Sequence, residues 1–389
     1  MLVKRCFYFL TFLFLCGTGL YAQDNLDLEH RMPKEVGAAQ LFVADSFYNW
    51  CSSVIKGPDG RYHMFYARWR HGKRALDDDP MNGIFNGFSG WLKYSEIAYA
   101  VADRATGPYR YVKTVLKGEG DPRNWDRYTM HNPQIRKFGN RYYLYYISNS
   151  FDPAFHFSDN RTVGKDWLHW LRYNCTQKIG VIEAASIEDL VNGRFERSPV
   201  PLMQPDNRHT FEVTTNPSVT QGPDGRYYMM FKSRKPDVGH MTMWMAVSEQ
   251  PDRPFRLLGQ VFTTADLACE DPYLWYDRGR KRFYAVVKYY SNDKVLAPQF
   301  GALALVTSED GLHWQAAKHS LVALRQLKVR GQPGTALAHL ERPFLLQDKK
   351  GNLQALFAAA SIQEPGKGDA LHTGFDRNSF IVCFPLKKK

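Results

Sequence analysis

The chain has 389 residues, of which 44% are hydrophobic and 14% aromatic. That is enough apolar material to bury a large core, and length alone would suggest two or three domains. The formal charge is +12, which suits an anionic glycan as partner. The basic residues form no dense stripe, so a nucleic-acid partner is not expected.

The first element is a targeting segment. Lys4 and Arg5 precede an apolar run from Cys6 to Leu15, and Leu20-Tyr21-Ala22 precedes Gln23 as a cleavage site. This is the pattern of a signal peptide over residues 1–22. The run is too short to span a bilayer and no later run is longer, so no membrane span is expected. The mature chain, residues 23–389, is expected in the periplasm or outside the cell, with a charge of +10 once Lys4 and Arg5 are gone. Four cysteines remain, Cys51, Cys175, Cys269 and Cys383, with no CxxC pair. Their spacing does not suit zinc, and a domain of this size needs no disulfide.

From residue 50 onward one pattern recurs five times. A two-residue slot stands before a Pro or Ser, then come an apolar strand, a turn and an aromatic strand. The slots are Trp50-Cys51, His131-Asn132, Thr215-Asn216, Glu270-Asp271 and Glu341-Arg342, spaced by 81, 84, 55 and 71 residues. After the first and third, the string GPDGRY stands in the same register, Gly57 to Tyr62 and Gly222 to Tyr227. Strands such as Arg141 to Ile147 and Arg226 to Lys232 are rich in aromatic and apolar residues and bounded by turns. A second strand pair follows each hairpin, as in Ile97 to Ala102 leading to Val115, and Ala302 to Ser308 leading to Trp314. Sustained helical periodicity is missing, and only short pieces such as Ala184 to Leu190 suit a helical turn.

Four strands per unit and five units predict an all-β, five-bladed propeller of antiparallel blades around a central funnel, forming one domain. The blades fall at about residues 50–116, 131–203, 215–262, 270–323 and 341–386. The fifth lacks an outer strand, and Gln40 to Ala44 is expected to supply it and close the ring, which removes an open sheet edge. The slot begins the first strand of each blade. It therefore shares a face with the two longest insertions, His71 to Ser95 and Ser148 to Asn174, and function is expected there.

The slot residues converge on one axis, where charged and amide groups are costly to bury. Two carboxylates beside a polar funnel are what glycoside hydrolysis needs, one as acid and one as base or nucleophile. Glu270 or Asp271 can supply one and Glu341 the other. Neighbours on a strand point to opposite faces, so only one of Glu270 and Asp271 is expected at the funnel centre. Arg342 can hold a carboxylate or bind a substrate oxyanion, and His131 can donate a proton or bind a hydroxyl. Asn132 and Asn216 are expected to bind substrate, with Trp50 and Trp91 stacking on sugar rings. The competing reading makes all of these blade-to-blade hydrogen bonds and ion pairs. No cofactor is expected; a structural calcium at the hub would have to draw on Asp271, Asn132 and Asn216.

These motifs resemble the five-bladed propeller glycoside hydrolases of families 43 and 32/68, and most of all family 117 and its relatives. The likeness rests on Trp50 to Gly57, His131 to Pro133, Thr215 to Pro217, Glu270 to Pro272 and Leu340 to Pro343, and covers nearly the whole mature chain. It implies hydrolysis of a non-reducing-end sugar from a plant or algal polysaccharide in a funnel pocket, with carboxylates and a His as catalytic groups. Families 43 and 32 carry an essential Asp at the start of blade one, where this chain has Trp50-Cys51. Substitutes on the same face are Asp45, Glu96, Asp121, Asp126 and Glu212. Two other classes remain open: a glycan-binding propeller without catalysis, and a polysaccharide lyase using His131 and a Tyr.

Overall fold

The structure, a computed structural model, describes residues 24–71, 81–156, 162–206, 208–234, 240–362 and 379–388. The predicted signal segment lies outside them. Four sheets have four antiparallel strands each, in simple sequential order. The first runs through Phe47–Lys56, Tyr62–Arg70, Glu96–Ala102 and Arg110–Leu116, and the second begins at His131–Phe138. The third and fourth begin at Phe211–Gln221 and Cys269–Asp277. The fifth sheet joins the two ends of the chain. There Leu41–Phe42 pairs antiparallel with Ser379–Pro385, with Leu41 opposite Val382 and Phe42 opposite Ile381. The expected closure by the segment before the first repeat is thus in place.

The inner strands are buried along nearly their whole length, as in Tyr62–Arg70 and Arg282–Tyr289, whereas the outer strand Arg110–Leu116 is mostly exposed. Each inner strand is sandwiched between neighbouring blades. Both of its faces must therefore be apolar, and its sequence reads as a continuous aromatic run instead of an alternation. The core is divided accordingly: one cluster fills the interface of blades one and two, another that of two and three, another that of three and four. The largest knits blades four, five and one.

The two GPDGRY strings form the same turn. Gly60 and Gly225 sit at φ +82° and +84°, a left-handed conformation that suits glycine. Asp59 pairs with Arg61 and Asp224 with Arg226 across each turn. One element departs from the expectation. The blade-two insertion contains a ten-residue helix, Lys165–Asn174, which packs with the short helix Trp91–Tyr94 of the blade-one insertion.

Candidate active site

The first strand of every blade breaks register at the slot. Shifts occur between Trp50 and Ser52, His131 and Gln134, Thr215 and Ser218, Glu270 and Tyr273, and Glu341 and Phe344. The second slot residue is left-handed each time: Cys51 at φ 46°, Asn132 at 52°, Asn216 at 57°, Asp271 at 59° and Arg342 at 50°. This is a β-bulge repeated around the ring, and a bulge turns two successive side chains toward one side. The expected alternation of Glu270 and Asp271 therefore fails. Both line the same cavity, because the bulge overrides the pleat.

The second slot residues form a hub on the axis. The Cys51 thiol donates to Asn132 Oδ1 at 2.6 Å, the Asn132 amide donates to Asn216 Oδ1, and the Asn216 amide donates to Asp271 Oδ1. The Arg342 backbone N–H completes the series at Asp271 Oδ2, 3.3 Å away. Burial pushes the Cys51 thiol well up, so it stays protonated and can donate. These hydrogen bonds join the blades to one another at the axis. Asn132, Asn216 and Asp271 direct their polar atoms at one another, and among the described residues no His, Cys, Asp and Glu group forms a metal-ligand set.

Above the hub lies a cavity of about 380 Å³, a size that suits small ligands. Its floor includes Asn132, Asn216, Asp271 and Arg342, and the first slot residues Trp50, His131, Thr215, Glu270 and Glu341 stand around it. The walls are unlike. Phe88, Trp91, Trp167 and Trp170, from the two insertions, make an aromatic side with Trp50, while blades three to five supply Lys232, Arg234, Lys288, His339 and the carboxylates. Trp167 and Trp170 stack at 4.9 Å between centroids, nearly parallel.

Glu270 is gripped by two ammonium groups, Lys232 Nζ at 2.5 Å and Lys288 Nζ at 2.7 Å. Burial alone would push its carboxyl up, but the two lysines outweigh that and hold it at about 2. Lys288 also binds Glu341, which accepts a further hydrogen bond from His339 Nδ1 at 2.8 Å. The Lys288 ammonium, with the hydrogen bond from His339, holds Glu341 well below the carboxylate range in spite of its burial. Asp271 goes the other way. Burial, with Glu270 and Glu341 nearby, pushes it up to about 6 against the pull of Arg342. His131 packs against Trp91, its Nδ1 shares a hydrogen bond of 2.8 Å with Ser95 Oγ, and burial keeps the ring neutral.

The structure brings Trp50, Trp91, His131, Asn132, Asn216, Glu270, Asp271, Glu341 and Arg342 together at the cavity. It does not bring Asp126 there: that carboxylate is buried in blade two, where it accepts from Tyr146 at 2.8 Å and pairs with Arg197 at 3.3 Å. The loop that carries it is tied to blade two, with Trp125 stacked on the Tyr146 ring and the Arg127 and Tyr128 backbone N–H groups bonded to the Asn149 carbonyl. Glu96 pairs with Arg68, and Asp121 with Arg123, away from the cavity. The side chain of Glu212 lies outside the described residues. Sequence reasoning missed Lys232, Lys288 and His339. The lysines had a signal, since each stands six residues after an Arg at the strand start, Arg226 just before Tyr227–Arg234 and Arg282 as the first residue of Arg282–Tyr289. That column pairs directly with the slot: Lys288 faces Glu270 and Lys232 faces Thr215.

No protein-family model matches the chain. No curated protein matches it either. In structure it resembles a family 117 glycoside hydrolase from the marine bacterium Zobellia galactanivorans, with 14% identity, a TM-score of 0.57, and 91% of this chain and 89% of that one covered. It also resembles an α-L-arabinofuranosidase from Lactobacillus brevis, with 11% identity, a TM-score of 0.55, and 94% and 95% covered. The catalytic domain of a family 62 α-L-arabinofuranosidase from Coprinopsis cinerea gives 12% identity, a TM-score of 0.55, and 92% and 98% covered. The fold is therefore the five-bladed propeller that these glycoside hydrolases share.

Proposed function

We propose that the protein is an exported glycoside hydrolase that removes a terminal sugar from a plant or algal glycan. The observation that carries this is the cavity itself: it is floored by the hub, aromatic on one wall, and lined on the other by three carboxylates in unlike environments. A floored pocket admits the end of a glycan chain, and aromatic faces suit sugar rings.

The environments divide the labour. An ionised Glu341 can only accept, so His339 carries its proton on Nδ1, and the pair can support an imidazolium. In that imidazolium, Nδ1–H stays on Glu341 and the Nε2 proton passes to the leaving oxygen as the glycosidic bond breaks, which leaves the ring neutral. Asp271, the most basic of the three carboxylates, takes a proton from the water that attacks the anomeric carbon. Glu270, pinned ionised by Lys232 and Lys288, is a poor base. Its charge serves to stabilise the oxocarbenium-like transition state.

The test is product analysis by chromatography on a panel of neutral and acidic oligosaccharides. Release of a monosaccharide, lost in Asp271→Asn and Glu341→Gln, is expected. Internal cleavage giving only oligosaccharides overturns the terminal action. Binding without turnover of any glycan supports a binding module instead, a reading favoured by Trp50-Cys51 standing at the start of blade one with no carboxylate.

A further inference from the structure

The cavity lining holds four cationic side chains, Lys232, Arg234, Lys288 and Arg342, against the three carboxylates Glu270, Asp271 and Glu341. The lysines are committed: both bind Glu270, and Lys288 binds Glu341 as well. Arg342 differs. Its side chain is 9% exposed, and its Nε and Nη1 are buried without a hydrogen-bond partner among the described residues. The nearest carboxylate, Asp271, is 3.7 Å away from Nη1, beyond hydrogen-bond distance. That carboxylate already accepts from the Asn216 amide through Oδ1 and from the Arg342 backbone through Oδ2. The Cys51 sulfur is the guanidinium's remaining polar neighbour, and buried N–H groups without an acceptor are costly unless something else uses them.

We propose that Arg342 is the floor of an anion subsite, and that the sugar entering the cavity carries a carboxylate or a sulfate ester. A guanidinium presents its N–H groups as a planar fork that fits both oxyanions two-pronged, which an ammonium cannot do. The aromatic wall of Trp50, Trp91 and Trp167 then receives the apolar face of the ring, and the anionic substituent points at the hub. The basic character of the whole chain, +12, favours the approach of an anionic glycan. This inference rests on the cavity being a carbohydrate site; it does not depend on turnover.

The experiment is calorimetric titration of the full protein with four probes: D-glucose, D-glucuronate, D-glucose 6-sulfate and inorganic sulfate. At least one acidic sugar is expected to bind about ten-fold or more tightly than D-glucose, as a charge-assisted pair implies. The difference should shrink in high salt and vanish in Arg342→Gln. The two acidic sugars separate carboxylate from sulfate, and inorganic sulfate reports whether the anion binds without a ring. Equal affinity of the wild type for all three sugars overturns the proposal, as does a preference that survives in Arg342→Gln. Should that variant fail to fold, Arg342→Lys keeps the charge without the fork and must lose most of the preference. A protein that prefers acidic sugars but cleaves none refutes hydrolysis and leaves the subsite standing. One that cleaves neutral glycans without preference does the reverse.

Discussion

Lys288 holds Glu270 through an ion pair of 2.7 Å in which both side chains are less than a tenth exposed. The same ammonium binds Glu341, so one cation keeps two buried carboxylates from repelling each other. Replacing Lys288 by Met leaves Lys232 and His339 as their remaining partners. Breaking a buried pair by removing one member costs about 3–5 kcal/mol. We expect Lys288→Met to lose stability of that order in urea unfolding at pH 7. The loss should shrink toward acid pH, where the carboxylates take up protons. A variant as stable as the wild type at pH 7 would refute the shared-cation description.

Asp271 and Glu270 are neighbours with opposite pH behaviour. Asp271 is raised from 3.8 to about 6, so its contribution to stability is full below pH 3.8 and is lost as pH rises through 6. Glu270 is lowered from 4.5 to about 2, so its contribution is full above pH 4.5 and is lost as pH falls through 2. Asp271→Asn removes the first of these only. Compared with the wild type, this variant should gain stability between pH 4 and pH 7, by about 2–3 kcal/mol for a shift of two units. Thermal unfolding across that range reads it. Parallel curves for the two proteins would show that Asp271 titrates normally.

The five-fold pattern, the blade limits and the closure by Leu41–Phe42 were all legible in the sequence, because each depends on local strand and turn chemistry repeated at intervals. The bulge was not. A left-handed backbone at Asn132 or Asn216 suits the residue, but at Cys51 and Arg342 nothing in the residue type signals it. It follows from convergence on the axis, which only the closed ring imposes. The helix Lys165–Asn174 escaped for another reason. Its buried residues, His169, Trp170, Leu171, Tyr173 and Asn174, mix polar and aromatic types, so no clean apolar stripe shows. The slot carboxylates could be read from the chain, whereas Lys232 and Lys288 lie on the second strands of blades three and four and meet the slot only through the strand register, and His339 precedes Glu341 by two residues on its own strand.

The hub makes Asn216 a structural residue as well as part of the cavity floor. Its amide donates to Asp271, and its Oδ1 accepts from Asn132 and from Thr215 Oγ1 at 3.0 Å. Asn216→Ala strands buried donors and acceptors at about 1–3 kcal/mol each and adds about 1–2 kcal/mol for alanine in the left-handed region. A loss of about 3 kcal/mol or more is expected in urea unfolding. Asn216→Gly relieves the backbone part alone and should fall between. Equal stability of the alanine and glycine variants would remove the backbone argument.

The latch should matter for solubility. Phe42 packs edge-on against Tyr66 of blade one at 5.0 Å between centroids, while its strand covers Ser379–Pro385. Arg31 adds hydrogen bonds to the Lys387 and Leu353 carbonyls. A chain shortened to begin at Ala44 leaves a free apolar strand edge, the geometry that recruits another chain. Size-exclusion chromatography should show oligomers or aggregates. A monodisperse monomer would mean that the ring closes without the latch.

His339 is the residue whose replacement best separates a proton donor from a structural group. It bonds Glu341 at 2.8 Å and approaches Trp50 at 6.4 Å between centroids, at the cavity side of a stable blade. His339→Asn retains a hydrogen-bond donor for Glu341 but cannot carry a titratable proton. If the ring is the general acid, kcat should drop by about 10²–10⁴ on glycans with poor leaving groups and far less on activated aryl glycosides, which need no protonation. The alkaline limb of the pH–rate profile should disappear with it. A uniform loss on both substrate types, with the limb intact, would reduce His339 to a positioning partner of Glu341 and return the acid role to a carboxyl.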